Sequence, residues 1–312
     1  MNSFTLSVII PNYNHGHLIE RALDAITGQS FRPIEIIVVD DASEDQSIDV
    51  IHRYRQRYHI VQLIRNDCNR GVIASINRGV ENAKGDYLYL GGADDTILPG
   101  FFERGMSGAE LCPHAGFSFA DYAVVYPHTN EYRETRLQLR QHSSYISPEE
   151  LLKIMQQKQF QLGFLSAIIR RSALTQYFPF PPELKWHFDW FLSHALAFQY
   201  GIYYIPETLA VFRPQPKSYS NQSQSWKEQK QVLQTVFNLL QSDPYREIQN
   251  EFRISASLAR LPKISRMLAS DASTWTYLTP RMTSRLISSS FKQIVKRISP
   301  QGFTQLYRRL FH

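Results

Sequence analysis

The chain has 312 residues, 43% hydrophobic and 20% charged, enough for a sizeable packed core and unlike a disordered or fibrous protein. Its two cysteines, Cys68 and Cys112, make neither a disulfide framework nor a zinc-ligand set, and no run reaches the roughly 18 apolar residues that cross a bilayer. The net charge of +6 is uneven, because residues 253–312 hold eleven Lys and Arg against one acid, Asp271, and the rest of the chain is net negative. An anionic partner is therefore to be sought in the C-terminal fifth. Met1 to Asn14 has no basic segment and only a short apolar run, so no secretory signal is expected. The thiols suit a reducing compartment, which places the protein in the cytoplasm or peripherally on a membrane.

In chain order, Leu6–Ile10 is a short β-branched run ending at Pro11 and reads as a buried parallel strand. A helix follows, with Leu18, Ile19, Ala22, Leu23 and Ile26 on one face. Glu35–Val39 reads as the second strand, Ser47–Arg57 as a helix and Ile60–Ile64 as the third strand. Val72–Ala83 reads as a helix and Asp86–Leu90 as the fourth strand. This alternation predicts an α/β fold with a parallel sheet covered by helices. Further on, Phe117–Val125, Gly163–Ile169 and Ile202–Pro206 read as strands. Pro148–Gln157 and Phe188–Tyr200 read as helices. Residues 214–225 read as a linker, with helical pattern beyond Trp226.

Ligands of an open parallel sheet bind at the carboxyl ends of its strands. Here those ends carry Pro11-Asn12-Tyr13-Asn14, Asp40-Asp41-Ala42-Ser43 and Gly91-Gly92-Ala93-Asp94-Asp95. Singly each has a plainer reading. Asp41 to Glu44 can cap the next helix, and Asp94-Asp95 can be a solvated turn. Three such groups at three strand ends favour one cleft. Paired carboxylates there suit a hard divalent cation, Mg2+ or Mn2+, shared with substrate phosphates. There is no P-loop and no Gly-x-Gly-x-x-Gly turn after the first strand, which argues against nucleoside triphosphatases and dinucleotide dehydrogenases.

Residues 7–14 (SVIIPNYN) and 35–45 (EIIVVDDASED) resemble the opening of the family 2 glycosyltransferases. Asn69-Arg70-Gly71, Asn77-Arg78-Gly79, Ala83 to Tyr87 and Ala93-Asp94-Asp95 continue that resemblance in order. Phe188-Asp189-Trp190, Ile205 to Leu209 and Phe212-Arg213 extend it to about residue 220. The resemblance implies a GT-A fold over residues 1–220, a Rossmann-like, mostly parallel sheet flanked by helices. A basic helical extension then covers 226–312. It implies inverting transfer from a nucleotide diphosphate sugar, a UDP-sugar by preference, to a glycan or lipid-linked acceptor in cell-surface polysaccharide synthesis. By position, Pro11 and Tyr13 would line the nucleotide site, with Asp41 accepting from the base and Asn69 and Gly71 beside it. Asp94 would hold ribose and metal, Asp95 metal, and Asp189 would be the general base that takes the acceptor proton.

Three positions depart from the family pattern. Gly92 stands where an Asp is usual, Phe188 replaces the acid before the base, and Gln215 stands where a His is common. These departures motivate a rival reading, a weak or inactive relative that binds nucleotide sugars or a partner. A nucleotidyltransferase would need a Gly-rich basic loop after the first strand, and Asn12 to His17 is not one. In the basic tail, Ile287, Phe291, Ile294 and Ile298 share one helical face and Arg285, Lys292 and Lys296 the other; Leu306 to Phe311 adds a second basic-aromatic patch. Such a helix can lie on an anionic membrane or pack on the domain with a solvated basic side. Both readings stand. Nucleic acid is disfavoured, since no recognised nucleic-acid module accompanies the charge.

Overall fold

The structure is a computed structural model describing residues 4–126, 129–214 and 225–288. β1 (Leu6–Asn12), β2 (Glu35–Asp40), β3 (Val61–Arg65) and β4 (Tyr87–Leu90) are linked by α1 (Gly16–Thr27), α2 (Ser47–Arg57) and α3 (Val72–Asn82). β5 (Thr96–Ile97), α4 (Phe101–Leu111), β6 (Phe117–Val125), β7 (Tyr132–Thr135) and β8 (Ser144–Ile146) follow. Then come α5 (Pro148–Gln157), β9 (Ala167–Arg170), α6 (Arg171–Leu174), α7 (Phe188–Tyr200) and β10 (Ile202–Phe212). Among the described residues the strands form one sheet in the order β3-β2-β1-β4-β9-β6-β10-β5, with β7 on β6 and β8 on β10. β1 pairs in parallel with both β2 and β4, and β2 with β3. β9 runs antiparallel between β4 and β6, so β6 points the same way as β4.

Alternation along the strands sends side chains to two cores. Ile9, Ile37, Val39, Leu88 and Leu90 join one cluster; Leu6, Val8, Ile10, Ile36, Val38, Tyr87 and Tyr89 join the other. The apolar stripe of α1 (Ile19, Leu23, Ile26) covers the second, and that of α3 (Ile73, Ile76, Val80) the first. α7 is buried on every side from Trp190 to Phe198, as expected of a helix apolar all round. Both faces of the sheet are thus sealed, and its strand ends are what remains open to a ligand.

The amino ends of the strands are closed by polar contacts. Glu35 is buried; its Oε1 accepts from Ser7 Oγ at 2.6 Å and from Lys84 N at 2.7 Å. Gly85 N donates to Ser7 Oγ at 2.8 Å, and a Cβ on Gly85 would stand 2.5 Å from Ser7 N. Backbone cannot yield as a side chain can. Gly85→Ala is therefore expected to destabilise the fold by about 2 kcal/mol, read from its denaturant midpoint. A midpoint equal to the unsubstituted protein would contradict this packing.

Several boundaries differ from expectation. The strand read from Gly163 begins at Ala167, and residues 163–166 form a turn instead. The strand read as stopping at Pro206 runs to Phe212. Its register on β6 shifts between Ile205 and Thr208, so the missing proline N–H falls where pairing is already irregular.

The C-terminal segment continues with α8 (Trp226–Gln241), α9 (Gln249–Ser255) and α10 (Ile264–Ser270), and residues 280–288 are helical. α8 starts at a capping box, Ser225 with Glu228. Its Leu233, Val236, Phe237 and Leu240, with Phe252 of α9, belong to the same cluster as Ile9, Leu88 and Phe191. One continuous core therefore joins these helices to the sheet. Gln215, the expected basic helix beyond residue 288 and the patch at 306–311 lie outside the described residues. Within 280–288 the expected faces are reversed. Arg285 turns inward and donates to the carbonyls of Ser255 and Met155, while Ile287 is 64% exposed. Both carbonyls lie in the last turns of helices, where no intrahelical donor is left.

Candidate active site

The chain steps outward from β1 to β2 to β3 and returns to β4 on the other side of β1. The strand order reverses between β1 and β4, and a crevice opens at such a point beyond the carboxyl ends. Asn12 lies opposite Asp40 in the β1–β2 register. Its Nδ2 donates to Asp40 Oδ1 at 2.9 Å and to Ser43 Oγ at 3.2 Å. Ser43 Oγ also accepts from Asn14 N at 2.9 Å, and Asn14 Oδ1 from Glu44 N at 2.9 Å. Asn14 and Ala42 have positive φ, 53° and 62°. These contacts lock the two loops into one wall. Pro11 sits half-buried behind it, and Tyr13 projects with 42% of its surface exposed.

Asp41 is buried and fully engaged on one oxygen. Oδ1 accepts from Asn66 Nδ2 at 2.7 Å and Arg70 N at 2.9 Å, and Oδ2 from Gly71 N at 2.8 Å. Asn69 is exposed, and its Oδ1 accepts from Gly71 N at 3.1 Å. Gly71 holds φ 88° and ψ 160°, a conformation few side chains tolerate. The structure therefore brings Asp41, Asn69 and Gly71 together and gives Asp41 a local role, holding the 66–71 loop beside the cleft. One lone-pair position on its Oδ2 is left over for a donor. The helix-cap reading of Asp41 is not seen, since α2 has no side-chain cap.

Asp94 and Asp95 sit past the end of β4, both half-buried. Their carboxylates fold over Gly92, where a Cβ would meet Asp95 Oδ2 at 2.7 Å and Asp94 Oδ1 at 2.9 Å. Glycine at 92 is what makes this arrangement possible. Burial, then the charges of Asp94 and Asp189, push the Asp95 carboxyl well above the usual range, against the pull of Arg21. Arg21, on α1, donates from Nη2 to the Asp94 carbonyl at 2.9 Å. Burial and the charge of Arg213 lower its pKa, and Asp94 and Asp95 raise it.

Asp189 opens α7 in its first turn. Its carboxylate lies against the 163–164 turn, accepting from Phe164 N at 3.3 Å, with the Cβ position of Gly163 only 3.0 Å from Oδ2. The side chain keeps an exposed face, yet surrounding protein atoms raise its pKa to about 6. Exposure of part of the side chain and loss of hydration over the rest coexist here. Desolvation governs the titration there. Asp189, Asp94 and Asp95 thus share one electrostatic site, remote from the Asp41 loop in sequence but on the same edge of the sheet.

The cluster sets three carboxylates beside two guanidiniums, Arg21 and Arg213, with Asp95 pushed toward its neutral form. Asp95 Oδ1 is buried with no hydrogen-bond partner, and the donor atoms are hard oxygens, as Mg2+ and Mn2+ require. Among the described residues no group of three His, Cys, Asp or Glu is set to hold a metal alone. Asp94 and Asp95 are the residues that would supply oxygen ligands to such an ion. Arg21 is not marked in the sequence as a site residue, because helix α1 offers no motif there, and Arg213 belongs to the Phe212-Arg213 match but carries no role from it.

A doubly covered α/β sheet with a loop-walled crevice and a carboxylate cluster at its switch point is the frame of a GT-A domain. Residues 7–178 match the family described as Glycosyl transferase family 2, and the chain belongs to that family. Among curated relatives, an uncharacterized glycosyltransferase of Escherichia coli, YibD, is 36% identical over 110 residues, covering 35% of this chain and 32% of its own. The poly(ribitol-phosphate) beta-glucosyltransferase of Bacillus spizizenii is 37% identical over 95 residues, covering 30% of this chain and 15% of its own. The chain thus spans well under two thirds of either relative. In fold it is similar to Staphylococcus aureus TarS 1-349 in complex with UDP-GlcNAc, with TM-score 0.63 and 17% identity over 91% of this chain and 79% of that one. It is also similar to a Pyrobaculum calidifontis mannosyltransferase in complex with GDP-Man and Mn2+, with TM-score 0.52 and 18% identity over 94% of this chain and 88% of that one.

Proposed function

We propose that the protein is an inverting glycosyltransferase that moves a sugar from a nucleotide diphosphate sugar, a UDP-sugar by preference, to a hydroxyl of a glycan or lipid-linked acceptor. The observation that carries this reading is Asp189, a desolvated but reachable carboxylate in the same electrostatic site as Asp94 and Asp95. In the proposed reaction the acceptor O–H gives its proton to Asp189 as its oxygen attacks the anomeric carbon. The bond to the diphosphate breaks on the opposite face, so the anomeric centre inverts. Arg21 faces the leaving group's charge from α1. A Mn2+ or Mg2+ ion on Asp94 and Asp95 would neutralise the rest. Tyr13 offers its ring to the base, and Asp41 its remaining lone pair to a base N–H.

The UDP-GlcNAc named with the TarS structure supports a UDP-sugar donor, and the Mn2+ named with the mannosyltransferase supports a metal. The glucosyltransferase relative supports a role in cell-surface polymer synthesis. No helix among the described residues is long and apolar enough to cross a membrane. Cytoplasmic residence, with contact to the membrane face where lipid-linked acceptors lie, fits that reading.

Calorimetric titration with UDP, GDP and dTDP, each with Mn2+ and with EDTA, tests the proposal. UDP is expected to bind with Mn2+ and to weaken about tenfold or more in EDTA or in Asp95→Ala. If no nucleotide binds in any condition, the donor site is absent and the proposal fails. The glycine at 92 favours one second reading, a nucleotide-sugar-binding protein without transferase activity. Nucleotide binding with no transfer to any acceptor would select it.

A further inference from the structure

The turn against which Asp189 rests is one end of a polar track. Residues 159–164 leave α5 without regular structure, and their burial alternates. Phe160, Leu162 and Phe164 are buried, Gln159 and Gln161 are exposed, and Gly163 is half-buried. Such alternation marks an extended run with one face outward. The outward face therefore carries Gln159, Gln161 and Gly163 in turn. At its far end the Cβ position of Gly163 lies 3.0 Å from Asp189 Oδ2, so the track stops at the proposed base.

At its near end the track enters a cavity of about 640 Å³, a size within the roughly 300–1,000 Å³ of small-molecule sites. Gln156, Gln157 and Gln159 line it from the α5 side, and Arg281, Ser284 and Arg285 from the helical segment 280–288. Arg285 donates to the carbonyls of Met155, in α5, and Ser255, in α9. Those two bonds tie the walls to each other, so the cavity keeps its shape. Arg281 reaches the Ile254 carbonyl at 3.4 Å, and its fork is otherwise turned to the cavity and solvent. Each glutamine amide both donates and accepts, and so does the Ser284 hydroxyl. A sugar hydroxyl has the same double capacity, and a guanidinium adds donors for ring and hydroxyl oxygens. An apolar ligand would leave these groups unpaired.

We propose that the cavity and the Gln159–Gln161 track bind the acceptor, and that the acceptor is an oligosaccharide rather than a single sugar. This rests on the glycosyltransferase reading and specifies its acceptor. The terminal unit presents its hydroxyl to Asp189, and the units behind it lie along Gln161 and Gln159 into the cavity. In an extended run the four steps from Gln159 to Gly163 span roughly 13 Å, longer than one pyranose ring. The C-terminal helices thus supply half of an acceptor subsite that the sheet alone does not contain.

The test uses the full chain with fluorescently tagged gluco-, galacto-, manno- and N-acetylglucosamine oligosaccharides and the matching monosaccharides. Binding is compared in the unsubstituted protein, in the double variant Gln159→Ala with Gln161→Ala, in Ser284→Trp, which fills the cavity from its other wall, and in Gln56→Ala. Gln56 is exposed on α2 and controls for loss of an amide. At least one oligosaccharide is expected to bind more tightly than its monosaccharide. That advantage should fall about tenfold in the double variant and in Ser284→Trp and persist in Gln56→Ala. In a transfer assay KM for the same oligosaccharide should rise with it. If no oligosaccharide outbinds its monosaccharide, if both track and cavity variants keep the advantage, or if Gln56→Ala loses it equally, the proposal is overturned. Displacement of the oligosaccharide by inorganic phosphate would also overturn it, making the cavity an anion site. Gln159, Gln161 and Ser284 are exposed, so the variants are expected to fold, which a melting curve checks. UDP titration on the same samples reports separately on the donor site. Failure there sinks the glycosyltransferase reading, whatever the oligosaccharides do.

Discussion

Asp189→Asn is expected to lower sugar transfer by about 10²- to 10⁴-fold while nucleotide affinity stays within about twofold. Asparagine keeps the shape of the side chain and can still accept from Phe164 N, so the loss isolates proton acceptance. The pH profile is the second half of the prediction. Burial raises the Asp189 carboxyl to about 6, and only the deprotonated form can act as base. Transfer by the unsubstituted protein should rise as pH increases through about 6 and level off above it, and the rising limb should vanish in the variant. Stability runs the other way. A carboxyl whose folded pKa is raised favours folding below its unfolded value, near 4, and that contribution is lost as pH climbs through 6. Asp189→Asn should therefore be the more stable protein at pH 7 to 8. Steady-state rates from pH 5 to 8, with denaturation at each end, decide the matter. A variant that keeps full transfer would remove Asp189 from the reaction.

Gln229→Leu should cost about 3 kcal/mol of stability and reduce transfer without reducing nucleotide affinity. Gln229 lies on α8 with no surface exposed. Its Oε1 accepts from Trp186 Nε1 at 3.0 Å, and its Nε2 contacts His187 Nε2 at 2.9 Å and the Pro262 carbonyl at 3.2 Å. As the donor in that contact, the amide requires His187 to be neutral with its proton on Nδ1. Burial agrees, lowering His187 to about 4. One amide thus ties the C-terminal helices to the turn that leads into Asp189. Lys185, in that turn, holds φ 45° and ψ −125°, a conformation that costs about 1–3 kcal/mol and persists only where its surroundings enforce it. Leucine would remove the Gln229 acceptor of the Trp186 N–H and the Gln229 donor to His187 and let the turn relax. Urea unfolding and a transfer assay together test this. An unchanged denaturation curve would mean that the hub is not buried as described, and full transfer with lowered stability would make the hub structural only.

The central fold was legible because its strands are apolar on both faces. Leu6–Ile10, Glu35–Val39 and Asp86–Leu90 are read as strands from their residue pattern, and the polar groups that follow them mark the cleft. β5, β7 and β8 were not legible. They are two to four residues long, and only their pairing with β10 and β6 makes them strands. Of the site, Asp41, Asp94, Asp95 and Asp189 fall at ends of elements and could be picked out. Arg21, Asn66 and Gln229 could not. Asn66 sits in a loop without a motif, Arg21 reads as an ordinary solvated helix residue, and Gln229 is a buried glutamine whose partners, Trp186, His187 and Pro262, lie far from it along the chain. Their roles come from three-dimensional proximity, which no local spacing encodes.

A proposed base seated in a helix walled in on every side also limits how the chain can be rewritten. From Trp190 to Phe198 α7 is buried, so a single added or removed methylene there disturbs the packing beneath Asp189. Tyr13, Asn69 and Arg70 instead project from loops whose backbones are fixed by Asp40, Asp41 and Ser43. If the proposed donor site is right, variation at these three side chains would alter which nucleotide is held while Asp189 keeps its address. A library seeking new donor preferences belongs on those loops, with the helix left untouched.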